Sequence, residues 1–169
     1  ATILKSDYAE AYCNLGVTYQ EKGDLVSAVN AYKNAIDNDN NYPTAHNNLG
    51  KIFLASGEID SSIKHLECAI TLKSDFADAH NNLGSAFLRI NKLNDAIKSY
   101  KKAIALKPDF AVANNNLGIA YLRKGDPKLA SKFFENAITI TPGYATAHHN
   151  LSGVKVYKEK DKQLNLIES

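Results

Sequence analysis

Between residues 77 and 110 the apolar positions fall into two helical stripes. Ala79, Leu83, Ala86, Phe87 and Ile90 stand three or four apart, and Leu93, Ala96, Ile97, Tyr100, Ala103 and Ile104 do the same after a short polar break. That spacing puts each set on one face of an α-helix. The pair of stripes recurs along the chain at an interval of 34 residues. Gly16, Gly50, Gly84 and Gly118 keep the interval, as do Leu15, Leu49, Leu83, Leu117 and Leu151, the aromatic Tyr19, Phe53, Phe87 and Tyr121, and the small residues Ala35, Ala69, Ala103 and Ala137, each followed by Ile. The units are 9–42, 43–76, 77–110 and 111–144, flanked by residues 1–8 and 145–169.

Each unit reads as helix–turn–helix. Gly23, Gly57, Asn91 and Gly125 stand between the stripes, residue types that tolerate the left-handed conformation closing a helix. Asp24 and Asp126 follow as candidate caps, and Pro127 takes a first-turn position where proline is harmless. Mid-helix glycine is unfavourable by about 0.8–1.0 kcal/mol relative to alanine. Its recurrence at Gly16, Gly50, Gly84 and Gly118 therefore predicts a neighbouring helix too close for a Cβ. One unit cannot bury both of its stripes, so units stack and each completes its neighbour's core. The expected fold is all-α, an α-solenoid of stacked helix pairs.

Composition narrows the function. With 20 Lys and Arg against 18 Asp and Glu, the net charge of +2 gives no electrostatic case for a nucleic-acid or membrane partner. No apolar run approaches the roughly 20 residues of a membrane span. Two cysteines, Cys13 and Cys68, make no disulfide framework, which favours a cytoplasmic protein.

A helix pair of this length with Leu-Gly in its first helix, an aromatic three residues on, then Ala, an aromatic, Ala-Ile and a closing Pro resembles the tetratricopeptide repeat. Asn82-Leu83-Gly84, Ala96, Tyr100, Ala103 and Pro108, then Asn116-Leu117-Gly118, Ala130, Phe134, Ala137 and Pro142, carry the likeness most fully. The resemblance implies a right-handed superhelix whose concave groove, lined by the first helix of each pair, binds peptides or protein surfaces. After Gly143 the pattern decays: Ser152 and Lys155 replace the glycine and the aromatic. A lysine is too costly to bury there unpaired, so residues 145–159 read as a capping helix, with a further helix or linker beginning over 161–169. At the other end, Lys5-Ser6-Asp7-Tyr8 is similar to Lys73-Ser74-Asp75-Phe76, so residues 1–8 read as the close of a preceding repeat.

Asparagine supplies 18 of the 169 residues, and its placement is periodic. Asn14, Asn48, Asn82, Asn116 and Asn150 each precede the repeated Leu, and Asn47, Asn81 and Asn115 form a second row one residue earlier. Asparagine is a mediocre helix former, so helix propensity does not explain the alignment. An amide both donates and accepts, and a ladder of amides can pair with the backbone of an extended peptide. Structural hydrogen bonding between repeats is the competing reading. The array is similar to the asparagine-lined repeats of O-linked N-acetylglucosamine transferases, which implies a protein segment held in the groove. Lys51, Arg89 and Arg123 are placed one turn or more along the same face. Positions where a carboxylate-gripping variant of the family carries Lys or Arg hold Cys13, Val17, Asn48, Asp78 and Asn82, which argues against capture of an acidic C-terminal tail.

No catalytic, metal or cofactor motif is present. His46, His80 and His148 share one repeat position and read as packing residues, while His65 and His149 read as isolated. The expected function is a protein-interaction scaffold that binds an extended peptide or a partner surface at micromolar affinity or weaker, with weak self-association through open repeat ends. The alternative is the substrate-docking arm of a larger transferase, a glycosyltransferase or a sulfotransferase, whose catalytic domain lies elsewhere.

Overall fold

The structure, a computed structural model, describes residues 2–154, with side chains from Tyr8 onward. Every element among the described residues is a helix. The chain forms two compact units, one running to Ile90 and the other starting at Asn91. The first holds α1 (Thr2–Glu21), α2 (Leu25–Asn38), α3 (Pro43–Ser56), α4 (Ile59–Leu72) and α5 (Ala77–Arg89). The second holds α6 (Leu93–Leu106), α7 (Ala111–Arg123), α8 (Pro127–Ile140) and α9 (residues 145–154).

The turns form as the residues between the stripes predict. Gly23, Gly57, Gly125 and Asn91 all have positive φ, at 79°, 85°, 84° and 59°. The amides of Asp24, Glu58 and Asp126 then reach back to the carbonyls of Tyr19, Phe53 and Tyr121 at 2.8–2.9 Å, closing the helix ends. The Asp24 and Asp126 carboxylates accept from the amides of Ser27 and Leu129, capping α2 and α8, and Pro43 and Pro127 open α3 and α8.

The glycines lie against large side chains. A Cβ on Gly16 would come 2.6 Å from the Tyr32 ring, one on Gly50 2.6 Å from Leu66, and one on Gly118 2.5 Å from the Phe134 ring. Tyr32, Leu66 and Phe134 are fully buried, so they have little room to retreat. Ser62, which replaces the small apolar residue of other repeats, donates its hydroxyl to the Gly50 carbonyl at 2.7 Å across the same close approach. In the first unit Cys13, Ala28, Tyr32, Leu49 and Ile52 form one core cluster, and Leu66, Leu83 and Ala86 form another. In the second unit Ala113, Leu117, Ala120, Ala130, Phe134 and Ala137 are fully buried, and Ala147 and Val154 of α9 are buried with them.

Helix α1 runs unbroken through residues 2–8, whereas the similar sequence Lys73-Ser74-Asp75-Phe76 leaves the helix and turns. Of the stretch expected as a capping helix, 145–159, residues 145–154 are helical; residues 155–159 and the stretch 161–169 lie outside the described residues.

Replacing Gly118 with alanine gains about 0.8–1.0 kcal/mol of helix propensity but overpacks the Phe134 ring, a change that costs about 1–3 kcal/mol. With so short a contact and a buried ring, Gly118→Ala is expected to lower stability by about 1–2 kcal/mol in urea denaturation, with the helical signal of the native state unchanged.

Candidate functional site

The two asparagine rows differ in environment. Asn47, Asn81 and Asn115 are buried, with at most 7% of their surface exposed. Asn48, Asn82, Asn116 and Asn150, each one residue later, are half-buried, and Asn14 is exposed. A step of one residue turns a helical side chain by about 100°, which separates an inward row from an outward one.

The rows bond to each other across repeats. In the first unit the Asn82 amide nitrogen donates to the Asn47 carbonyl oxygen at 3.0 Å, and in the second unit Asn150 donates to Asn115 at 2.9 Å. Within a repeat, Asn47 donates to Asn48 at 3.3 Å and Asn81 to Asn82 at 3.4 Å. Buried amides need such partners, and among the described residues every buried polar side-chain atom has one. Repeat one lacks the inward amide, because Cys13 stands at that position. Asn48 instead lies beside Tyr32, on the wall of one cavity.

Around Asn48 lies a recess that the repeat pattern does not announce. Val17, Gln20, Glu21, Tyr32, Asn48 and Lys51 line a cavity of about 330 Å³. The Tyr32 hydroxyl donates to Gln20 Oε1 at 3.2 Å, and burial pushes its pKa up to about 12, so it remains a neutral donor. The position of Tyr32 is a buried core position in every unit, filled by Leu66, Tyr100 and Phe134 in the others, so its polar role in the first is not marked by the pattern. Lys51, Arg89 and Arg123 are all exposed; Asn48 and Lys51 share the recess, while Arg89 and Arg123 lie on the last turns of α5 and α7. Burial pushes the Cys13 thiol up, away from the reactive thiolate. Among the described residues no group of three or more His, Cys, Asp or Glu converges as a metal site, and no helix is long and apolar enough to cross a membrane.

Family comparison agrees with the helix pairs. A profile described as TPR repeat matches residues 19–57, 50–91 and 85–125, and one described as Tetratricopeptide repeat matches residues 111–144. The chain belongs to the tetratricopeptide repeat family. Its fold is accordingly the helical-repeat solenoid. A crystal structure of MamA is 30% identical, with a TM-score of 0.75 over 86% of this chain and 85% of that one. The Pseudomonas aeruginosa pilF structure is 22% identical, with a TM-score of 0.84 over 93% and 71%. An O-GlcNAc transferase from Thermobaculum terrenum is 20% identical, with a TM-score of 0.76 over 80% of this chain and 26% of the other. No curated protein matches the chain.

One tetratricopeptide repeat departs from the others in its histidines. His80 and His148 each set Nε2 against a backbone carbonyl, Ser74 O at 3.1 Å and Pro142 O at 2.8 Å. His46, at the same repeat position, turns Nδ1 to Nδ1 of His65 at 3.1 Å. His65 is thus not isolated, as its lack of repeat partners suggested. Its ring is held between His46, with ring centres 5.3 Å apart, and Phe53, stacked at 5.4 Å. The register of α3 and α4 accounts for this. With Leu66 opposite Gly50, the preceding residue lies beside the stretch of α3 from 46 to 53.

Burial, with His46, Lys64 and Lys33 nearby, lowers the His65 pKa to about 4, and burial lowers that of His46 as well. An unfolded histidine titrates near 6.5, so as pH falls the unfolded chain takes up the proton first. The stability carried by the neutral pair is complete above about pH 6.5 and is lost as pH falls toward 4. The urea midpoint is therefore expected to drop between pH 7.5 and pH 4.5 more steeply for the native chain than for His65→Ala, which installs the residue type found at Ala31. Parallel pH profiles would show that the pair carries no such stability.

Proposed function

We propose that the chain is a protein-interaction scaffold that holds an extended peptide or a partner surface against the outward asparagine row, in the groove expected of its repeats. One observation supports this reading above the others: the hydrogen bonds divide the amides between two tasks. Asn47, Asn81 and Asn115 are buried and tie structure together, while Asn82 commits one N–H to Asn47 and one lone pair to Asn81. An amide has two of each. Asn82 therefore retains a donor and an acceptor on its half-buried side, the pair a peptide unit requires. In this reading Asn14, Asn48, Asn82, Asn116 and Asn150 meet the ligand, and Asn47, Asn81 and Asn115 set their orientation. Lys51, Arg89 and Arg123 supply exposed cations beside the track.

Neutral hydrogen bonds contribute roughly 0.5–1.5 kcal/mol each, and ordering the ligand offsets part of that gain. Binding is then of about micromolar strength or weaker, with little preference for ligand sequence. The likeness to the glycosyltransferase is one of fold and covers 26% of that chain, so a transferase-docking role rests on sequence resemblance.

The test is binding of a random extended-peptide library to the native chain and to Asn48→Ala/Asn82→Ala/Asn116→Ala, with circular dichroism to verify folding. Binding is expected to fall roughly tenfold or more with helicity retained. Equal binding by the two proteins would make the outward amides structural and move the interaction to another face.

A further inference from the structure

We infer that His46 and His65 form a two-imidazole site for a late first-row divalent cation of the zinc and copper class. Imidazole nitrogens bind Zn²⁺ at about 2.0–2.1 Å. Two such bonds spanning the observed 3.1 Å enclose an angle of about 98° at the metal, between the square-planar and tetrahedral values.

The pair is specific to the second repeat. His65 stands where the other repeats carry Ala31, Ser99 and Phe133, so the repeat architecture does not require it. At the position of His46, His80 and His148 spend a ring nitrogen on a local carbonyl, and Asn114 donates to Phe110 O at 3.1 Å. Only a histidine on α4 draws the His46 Nδ1 across to the neighbouring helix. Stacking on Phe53 limits the freedom of the His65 ring, which lowers the entropy lost on coordination.

The proton balance is simple. In the metal-free pair one Nδ1 carries a hydrogen and donates to the other. When the cation binds, the donor imidazole moves its hydrogen to Nε2, each ring turns modestly about its side-chain torsions, and both Nδ1 lone pairs meet the metal. No net proton is released. Among the described residues no third His, Cys, Asp or Glu joins the pair, so water fills the remaining positions. The cation bridges α3 and α4 within one repeat, and a ligand that binds only the folded pair stabilises it.

The experiment uses tag-free, chelator-treated protein at pH 7.5 and titrates Zn²⁺ calorimetrically, with imidazole nitrogen shifts followed by NMR. The native chain is expected to bind one Zn²⁺, to shift the Nδ1 signals of His46 and His65 together, and to gain thermal stability. His65→Ala and His46→Tyr, which install the residue types of repeat one, are expected to weaken binding by roughly tenfold or more while keeping the native circular dichroism. His80→Asn, which installs the type of Asn114, should bind as the native chain does. Absence of one-to-one binding by the native chain would overturn the assignment. So would unchanged affinity in either pair variant, or shifts confined to His148 and His149.

Discussion

At Gly16, Gly50 and Gly118 a helix backbone lies so near Tyr32, Leu66 or Phe134 that the large side chain fills the space a Cβ would take. The helix pairs are locked at this contact. It sets how closely the two helices of a repeat approach, and hence which residues on either side of the glycine reach the partner helix. In repeat two it brings the Ser62 hydroxyl to the Gly50 carbonyl and sets His65 between His46 and Phe53. The polar chemistry of that repeat follows from apolar packing, because the side chains beside the contact have few other places to go.

The asparagines extend the same logic from within a repeat to between repeats. Close packing fixes helix positions by shape, which leaves sliding and rotation weakly determined. Amide pairs are directional, and the bonds from Asn82 to Asn47 and from Asn150 to Asn115 penalise displacement of one repeat against the next. Burying an amide costs free energy unless it is bonded, so the inward row is favourable only in the correct register. Asn48 and Asn82 are thereby held by their inward neighbours, the preorganisation that the proposed backbone-directed recognition requires.

Much of this was legible in the chain because it is local and repeated. The left-handed turns at Gly23, Gly57, Asn91 and Gly125, the caps at Asp24 and Asp126, and the close approach at the glycines are each encoded within a few residues and announced by recurrence. The division of labour between Asn47 and Asn48 was not legible. Both carry the same side chain, and their roles differ through a rotation of one residue and partners a whole repeat away. The role of His65 is hidden in the sequence for the opposite reason: it has no counterpart in other repeats, and its meaning comes only from the helix opposite.

The central claim is that the asparagine rows tie successive repeats together while presenting an outward face. A double-mutant cycle on Asn47→Ala and Asn82→Ala, read from urea denaturation, tests it most directly. The account predicts a coupling of roughly 0.5–1.5 kcal/mol between the two sites, with Asn47→Ala alone the more destabilising because it leaves its buried surroundings unfilled. Additive effects, with coupling indistinguishable from zero, would contradict it and return the asparagine periodicity to an unexplained feature of the surface.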